Sequence, residues 1–236
     1  MDIFKYKRRD FLKIITTVPA ILSLPGCGKI KDKIKYIITL SFDDGFKKSF
    51  IKTAEIYEKY NMSACFNVMA ESSKSKDEYQ VSVELGNFNL WNELQKRGHE
   101  IMPHGYNHSF LNRIDSEEAK ELIIKCLNIF SDKLEGFNPK QSVFNFPYNS
   151  STPELEEWIA TQVMAYRSGG GYINTLPYKG QVKLTTGGFG PANCEKHLNN
   201  AIDELFTKSS GWLIYNTHGL DDEGWGPLSS DYLDSL

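Results

Sequence analysis

The chain has 236 residues, 40% hydrophobic and 13% aromatic, with 27 Lys and Arg against 30 Asp and Glu for a net charge of −3. These values exclude wholesale disorder and fit one sizeable folded domain. The mild acidity disfavours phosphate backbones, so nucleic acid is not an expected partner.

At the N-terminus, Lys5, Lys7, Arg8 and Arg9 precede an apolar run over residues 14–24. The run is too short to span a bilayer comfortably and reads as an export signal. Arg8-Arg9-Asp10-Phe11-Leu12-Lys13 resembles a twin-arginine signal, and Leu24-Pro25-Gly26-Cys27 resembles a lipobox whose cysteine is acylated. The expected organisation is therefore residues 1–26 as export signal with lipobox, 27–35 as linker and 36–236 as one domain. That domain would lie outside the cytoplasm, held to a bacterial membrane only by a lipid on Cys27. Removing residues 1–26 takes five basic and two acidic residues and leaves a net charge of −6.

After the linker, residues 36–42 form an apolar, β-branched strand that ends at Asp43-Asp44-Gly45. The spacing predicts a helix over 49–60, a strand over 63–69, a helix over 88–97 stopped by Gly98, and a short strand over 99–102. Asp115 and the acids after it cap a helix to about residue 134, followed by a strand over 142–146 and a helix over 153–162. Residues 163–190, rich in glycine, read as irregular loops; a helix over 193–207 and a strand over 212–216 follow. Ser229-Ser230-Asp231 starts one more helix. Alternating strands and helices predict parallel βα units in a barrel.

Asp43-Asp44, His104 with His108, Pro147-Tyr148 and His218 all fall just after strand-like runs, the end of a βα barrel where sites are built. His104 and His108 stand four apart, so one helical turn would face both imidazoles to a single metal. Cys65, Cys126 and Cys194 have no metal-like spacing and read as buried thiols. His99 and His197 receive no role. Tyr148, Tyr172, Trp212 and Trp225 are candidates for stacking on sugar rings, with Trp212 mostly core and Trp225 a candidate substrate contact.

Ser41-Phe42-Asp43-Asp44-Gly45 and His104-Gly105-Tyr106-Asn107-His108 resemble the first two signature motifs of polysaccharide deacetylases, the NodB-homology or carbohydrate esterase family 4. Residues 57–68, Gly98-His99-Glu100, Phe146-Pro147-Tyr148 and Tyr215-Asn216-Thr217-His218-Gly219 resemble family segments in the same order. The resemblance implies a distorted α/β barrel of residues 36–236. It further implies a divalent metal on Asp44, His104 and His108, usually Zn2+, with Co2+, Ni2+ or Mn2+ also compatible. Asp43 would be the base, His218 the acid, and the Tyr148 backbone N–H an oxyanion donor. The implied activity is removal of N-acetyl groups from an amino-sugar polymer such as peptidoglycan, chitin-like chains or exopolysaccharide. An O-acetyl esterase on xylan-type glycans and a non-catalytic, lipid-anchored carbohydrate binder on a decayed barrel are the alternatives.

Two departures carry expectations of their own. Asn145 stands where many family members place an arginine that orients the catalytic aspartate, so Asp43 is expected to lack a positive partner there. The family's fourth motif, with its aspartate, is not recognisable in residues 163–171, where Arg167 lies. The domain is also expected to be C-terminally short, because the family finishes its last helix and adds a strand; an open or strand-deficient barrel follows.

Overall fold

The computed structural model describes residues 34–75, 77 and 82–236, so the expected export signal and Cys27 lie outside the described residues. Its strands are β1 (Tyr36–Phe42), β2 (Cys65–Val68), β3 (Glu100–Pro103), β4 (Val143–Asn145), β5 (Ala165–Gly169), β6 (Ile173–Asn174), β7 (Lys183–Thr186) and β8 (Gly211–Thr217). The α-helices are α1 (Lys47–Lys59), α2 (Phe88–Lys96), α3 (Ser116–Lys133), α4 (Pro153–Ile159), α5 (Cys194–Thr207) and α6 (Ser230–Ser235).

Two sheets run in the orders β3-β2-β1-β8-β6 and β4-β5-β7, and every pairing is parallel except the short β6 against β8. Their edges meet at two seams. Across one, Asn145 Nδ2 donates to the Pro103 carbonyl at 3.3 Å. Across the other, the Asn216 N–H donates to the Gly187 carbonyl at 3.1 Å and Thr186 Oγ1 to that of Ile214 at 3.0 Å. Seven parallel strands thus form the expected distorted α/β barrel, open at its seams.

Side-chain alternation along the strands separates two environments. Phe42, Phe66, Leu213 and Tyr215 face outward into the main core, with Phe50 of α1 and Leu198 of α5. The inward faces stack in layers set by the β1–β8 register: Ile37 opposite Trp212, Thr39 opposite Ile214, Ser41 opposite Asn216. Ile37, Trp212 and Ile214, with Leu184 and Val143, fill the lower barrel as a small apolar cluster. Toward the C-terminal strand ends the interior turns polar, with Ser41, Asn67, Asn145, Arg167, Thr186 and Asn216 all buried.

Helix starts follow the expected capping chemistry: Asn87 accepts from the Asn89 and Leu90 N–H groups, Asp115 from Glu117 and Glu118, and Ser229 from Tyr232. Helix α6 docks on α1, with Lys59 Nζ 3.2 Å from Asp234 Oδ1 and Tyr60 Oη donating to the Asp234 carbonyl at 2.8 Å. The main departure from the sequence reading is residues 163–190, which contain β5, β6 and β7 rather than loops alone. Strand β5 escapes notice because Arg167 and Ser168 interrupt the apolar run by which a buried parallel strand is recognised.

Candidate active site

Asp43 and Asp44 leave the end of β1, His104 follows β3, Tyr148 follows β4, and His218 follows β8. Asp44 Oδ1 lies 3.4 Å from His104 Nε2 and 3.2 Å from His108 Nε2. Asp43 Oδ2 lies 3.8 Å from His104 Nε2. Asp43, Asp44, His104 and His108 are all buried.

The histidines do not meet through a helical turn. Residues 104–108 are non-helical, and the chain reverses through Gly105 (φ 82) and His108 (φ 58). A Cβ on Gly105 would stand 2.9 Å from Pro147 Cγ, so β-carbon and backbone conformation both favour glycine there. Asp44 (φ 81) and Tyr148 (φ 55) are also left-handed. For non-glycine residues each such conformation costs on the order of 1–3 kcal/mol and persists only where surrounding contacts hold it.

The donor atoms fit a cation. His104 Nδ1 is 3.0 Å from the Asn145 carbonyl, which can only accept; Nδ1 therefore carries a proton, and Nε2 is directed toward Asp44. Asp44 Oδ1 is buried without a hydrogen-bond partner. One orphaned carboxylate oxygen and two imidazole nitrogens, each contributing an atom within 4.8 Å of the others, make a donor set suited to a divalent metal with open positions.

Asp43 is held differently. Asn67 Nδ2 donates to Oδ1 at 2.6 Å, and Arg167 donates bidentately, Nη1 to Oδ1 at 2.9 Å and Nη2 to Oδ2 at 2.6 Å. Arg167 is only 1% exposed and also donates to Ser41 Oγ at 2.8 Å. The expected absence of a positive partner is thereby corrected. Asn145 hydrogen-bonds the Pro103 and Val143 carbonyls, while the charge comes from Arg167, its neighbour in register on β5.

Burial alone would raise the pKa of Asp43, but Arg167, then His104 and His218, outweigh it and hold the carboxyl below its ordinary 3.8. At Asp44 burial is likewise outweighed, by His108, His104 and His218, and the carboxyl is held well below its ordinary 3.8. For His218 burial dominates: Asp44 and Asp43 offset it only in part, so its pKa falls below 6.5.

Residues 30–166, more than half of the chain, match the family model for polysaccharide deacetylase. The chain belongs to the polysaccharide deacetylase family. Comparison with curated protein sequences gives no match. Among solved structures, this deacetylase-family chain is similar to peptidoglycan deacetylase PdaC from Bacillus subtilis, at 18% identity and TM-score 0.52, covering 85% of this chain and 80% of that one. It is likewise similar to a family 4 carbohydrate esterase from Streptomyces lividans in complex with acetate, at 14% identity and TM-score 0.55, covering 85% of each. A CE4 family pseudoenzyme from Bacillus anthracis aligns at 14% identity and TM-score 0.52, covering 85% of this chain and 59% of that one. At these identities the similarity concerns the fold.

Around the Asp–His cluster of this polysaccharide deacetylase family chain, Trp225 stands edge-on to His218, with ring centroids 5.4 Å apart at 86°. Gly190 leaves room for its indole, since a Cβ there would approach three ring atoms at 3.0 Å. Tyr148 stacks on Phe110 at 3.5 Å and packs on His108 at 4.3 Å. Trp212 lies inside the lower barrel, donating to Thr39 Oγ1, and Tyr172 donates to Glu204; neither has a contact with the centre. His99 bridges the Ala64 N–H and Glu58, and His197 meets Tyr215 Oη. Cys65, Cys126 and Cys194 are free thiols, and burial pushes Cys65 up to about 12. Sequence reasoning missed the parts played by Arg167 and Asn67; the arginine within an otherwise strand-compatible stretch was the one available signal.

Proposed function

We propose that this chain is an exported, metal-dependent hydrolase that removes N-acetyl groups from amino-sugar polymers. The carrying observation is the side-by-side pair of buried aspartates in different settings: Asp43 clamped and ionised by Arg167, Asp44 facing two imidazole nitrogens. A divalent metal held by Asp44, His104 and His108 would supply Lewis acidity toward the acyl carbonyl and the attacking water. Asp43, with Oδ2 nearest the histidines, accepts the water's proton. His218, beside Trp225, gives a proton to the departing amine. The Tyr148 N–H donates to the oxygen on which charge develops.

The peptidoglycan deacetylases among the structural neighbours support an acetylated glycan as the substrate class, with O-acetyl esters the nearest alternative. The binder reading loses one of its grounds, because Arg167 supplies the charge that Asn145 lacks. Residues 1–26 act in this reading as the export signal and Cys27 as the lipid anchor. No helix among the described residues is long and apolar enough to cross a membrane.

The test is acetate release from N-acetylglucosamine oligomers by the chain lacking residues 1–27. Release is expected with zinc, and Asp43→Ala is expected to reduce it by about 10²–10⁴-fold. Chelation and His104→Ala should abolish it. Release that persists in chelator would refute metal dependence, and release only from O-acetylated xylan would turn the assignment to the esterase.

A further inference from the structure

The second histidine has an oxygen of its own behind it. His108 Nδ1 is buried, and Asp77 Oδ2 lies 3.4 Å from it, just outside hydrogen-bond geometry. The same oxygen accepts from Tyr148 Oη at 3.1 Å. The Asp77 side chain is 16% exposed, so this carboxylate is largely withdrawn from water. The two imidazoles are thus arranged alike: each Nδ1 faces an oxygen, the Asn145 carbonyl or Asp77, and each Nε2 faces Asp44.

Tyr148 needs support from outside its own backbone, because φ 55 and ψ 17 are unfavourable for a bulky side chain. That support is a column: Arg113 over the Phe110 ring at 4.0 Å, Phe110 stacked on Tyr148 with the planes 6° apart, and Tyr148 against His108. Asp77 ties the hydroxyl end of this column to the histidine it covers.

We propose that Asp77 is a positioning residue for both halves of the site: its carboxylate holds His108 with Nδ1 protonated and Nε2 toward the metal, and anchors Tyr148 over that ring. The inference rests on Asp44, His104 and His108 being a metal centre. A carboxylate behind a ligating imidazole fixes the tautomer, orients the ring and makes it a better donor. Its removal typically weakens metal binding by about 10–100-fold. Asp77→Asn keeps an acceptor but loses the charge, so its loss is smaller; Asp77→Glu recovers most of the affinity. Tyr148→Phe, which leaves the carboxylate to His108 alone, keeps metal affinity near that of the parent.

The experiment is zinc affinity by competition with a chromogenic chelator, on the chain lacking residues 1–27 and its variants, with folding followed by circular dichroism. The imidazole Nδ1–H resonance of His108 in the zinc-loaded protein is a second readout, expected to be slow-exchanging in the parent and broadened in Asp77→Ala. Should Asp77→Ala fail to fold, Asp77→Asn and the resonance still decide. Parent-like affinity and a sharp resonance in every Asp77→Ala or Asp77→Asn variant that folds would overturn the role of Asp77 while leaving the metal centre standing. A folded parent that binds no zinc would overturn the metal centre and this inference together.

Discussion

At Asp43 a fully buried carboxylate is tolerable because three donors satisfy its oxygens, one on Asn67 and two on the charged Arg167 guanidinium. Arg167→Met removes the clamp and leaves the anion unpaired, which is expected to cost about 3–5 kcal/mol at pH 7. The sign of its pH dependence follows from the direction of the shift. The folded-state pKa is lowered, so the pair's contribution is complete above the unfolded value near 3.8 and is lost as pH falls through the lower folded value. In the variant burial is opposed only by His104 and His218, so that pKa moves up. Urea unfolding of the metal-free proteins should therefore show a stability gap that narrows as pH drops toward 3; a constant gap would assign it to packing. Asp43, Asp44, His104 and His218 were legible as candidates because each follows a strand-like run, and His108 because it shares a recognisable motif with His104. Arg167 and Asp77 were not, because their partners lie on other strands and loops, and spacing along the chain carries no trace of those pairs.

Among the elements, α1 has no side-chain cap of its own at Phe46. Glu223, from the segment after β8, provides it, accepting the Ser49 N–H at 2.7 Å and Ser49 Oγ at 2.5 Å, while Ser49 Oγ accepts the Leu220 N–H at 2.8 Å. The segment carrying His218 and Trp225 is thus fastened to the helix that follows the two aspartates. Glu223→Ala is expected to cost about 1–2 kcal/mol, as lost caps and stranded donors do. It should also lower kcat more than it raises KM, read from steady-state rates beside the melting curve. A melting shift with unchanged kcat would mean that the cap serves stability alone. The long amphipathic helices and apolar strands were visible from periodicity, with ends off by at most three residues. The three strands in residues 163–190 were hidden because they are only two to five residues long and several of their inward positions are polar, at the end of the barrel where the site opens.

For the molecule as a whole, a metal bound only by the folded state adds stability by mass action, roughly 2.7 kcal/mol at a hundred times the dissociation constant. Zinc should therefore raise the melting temperature of the parent and leave that of His104→Ala unmoved, as calorimetry can check; equal shifts in both would place the ion elsewhere. The barrel class was legible because parallel βα units leave few alternatives, while the seams depend on contacts between distant strands. The same layered interior bears on how such a chain changes over generations. Asn145 and Arg167 are register partners in one polar layer, and the buried Asp43 takes its positive charge from the β5 member of that pair. A lineage that moved such a charge between the two strands by losing one arginine before gaining the other would pass through an ancestor with a bare buried anion. One that acquired the second arginine first would have held two and then shed one, and this order, redundancy before loss, is the passable one.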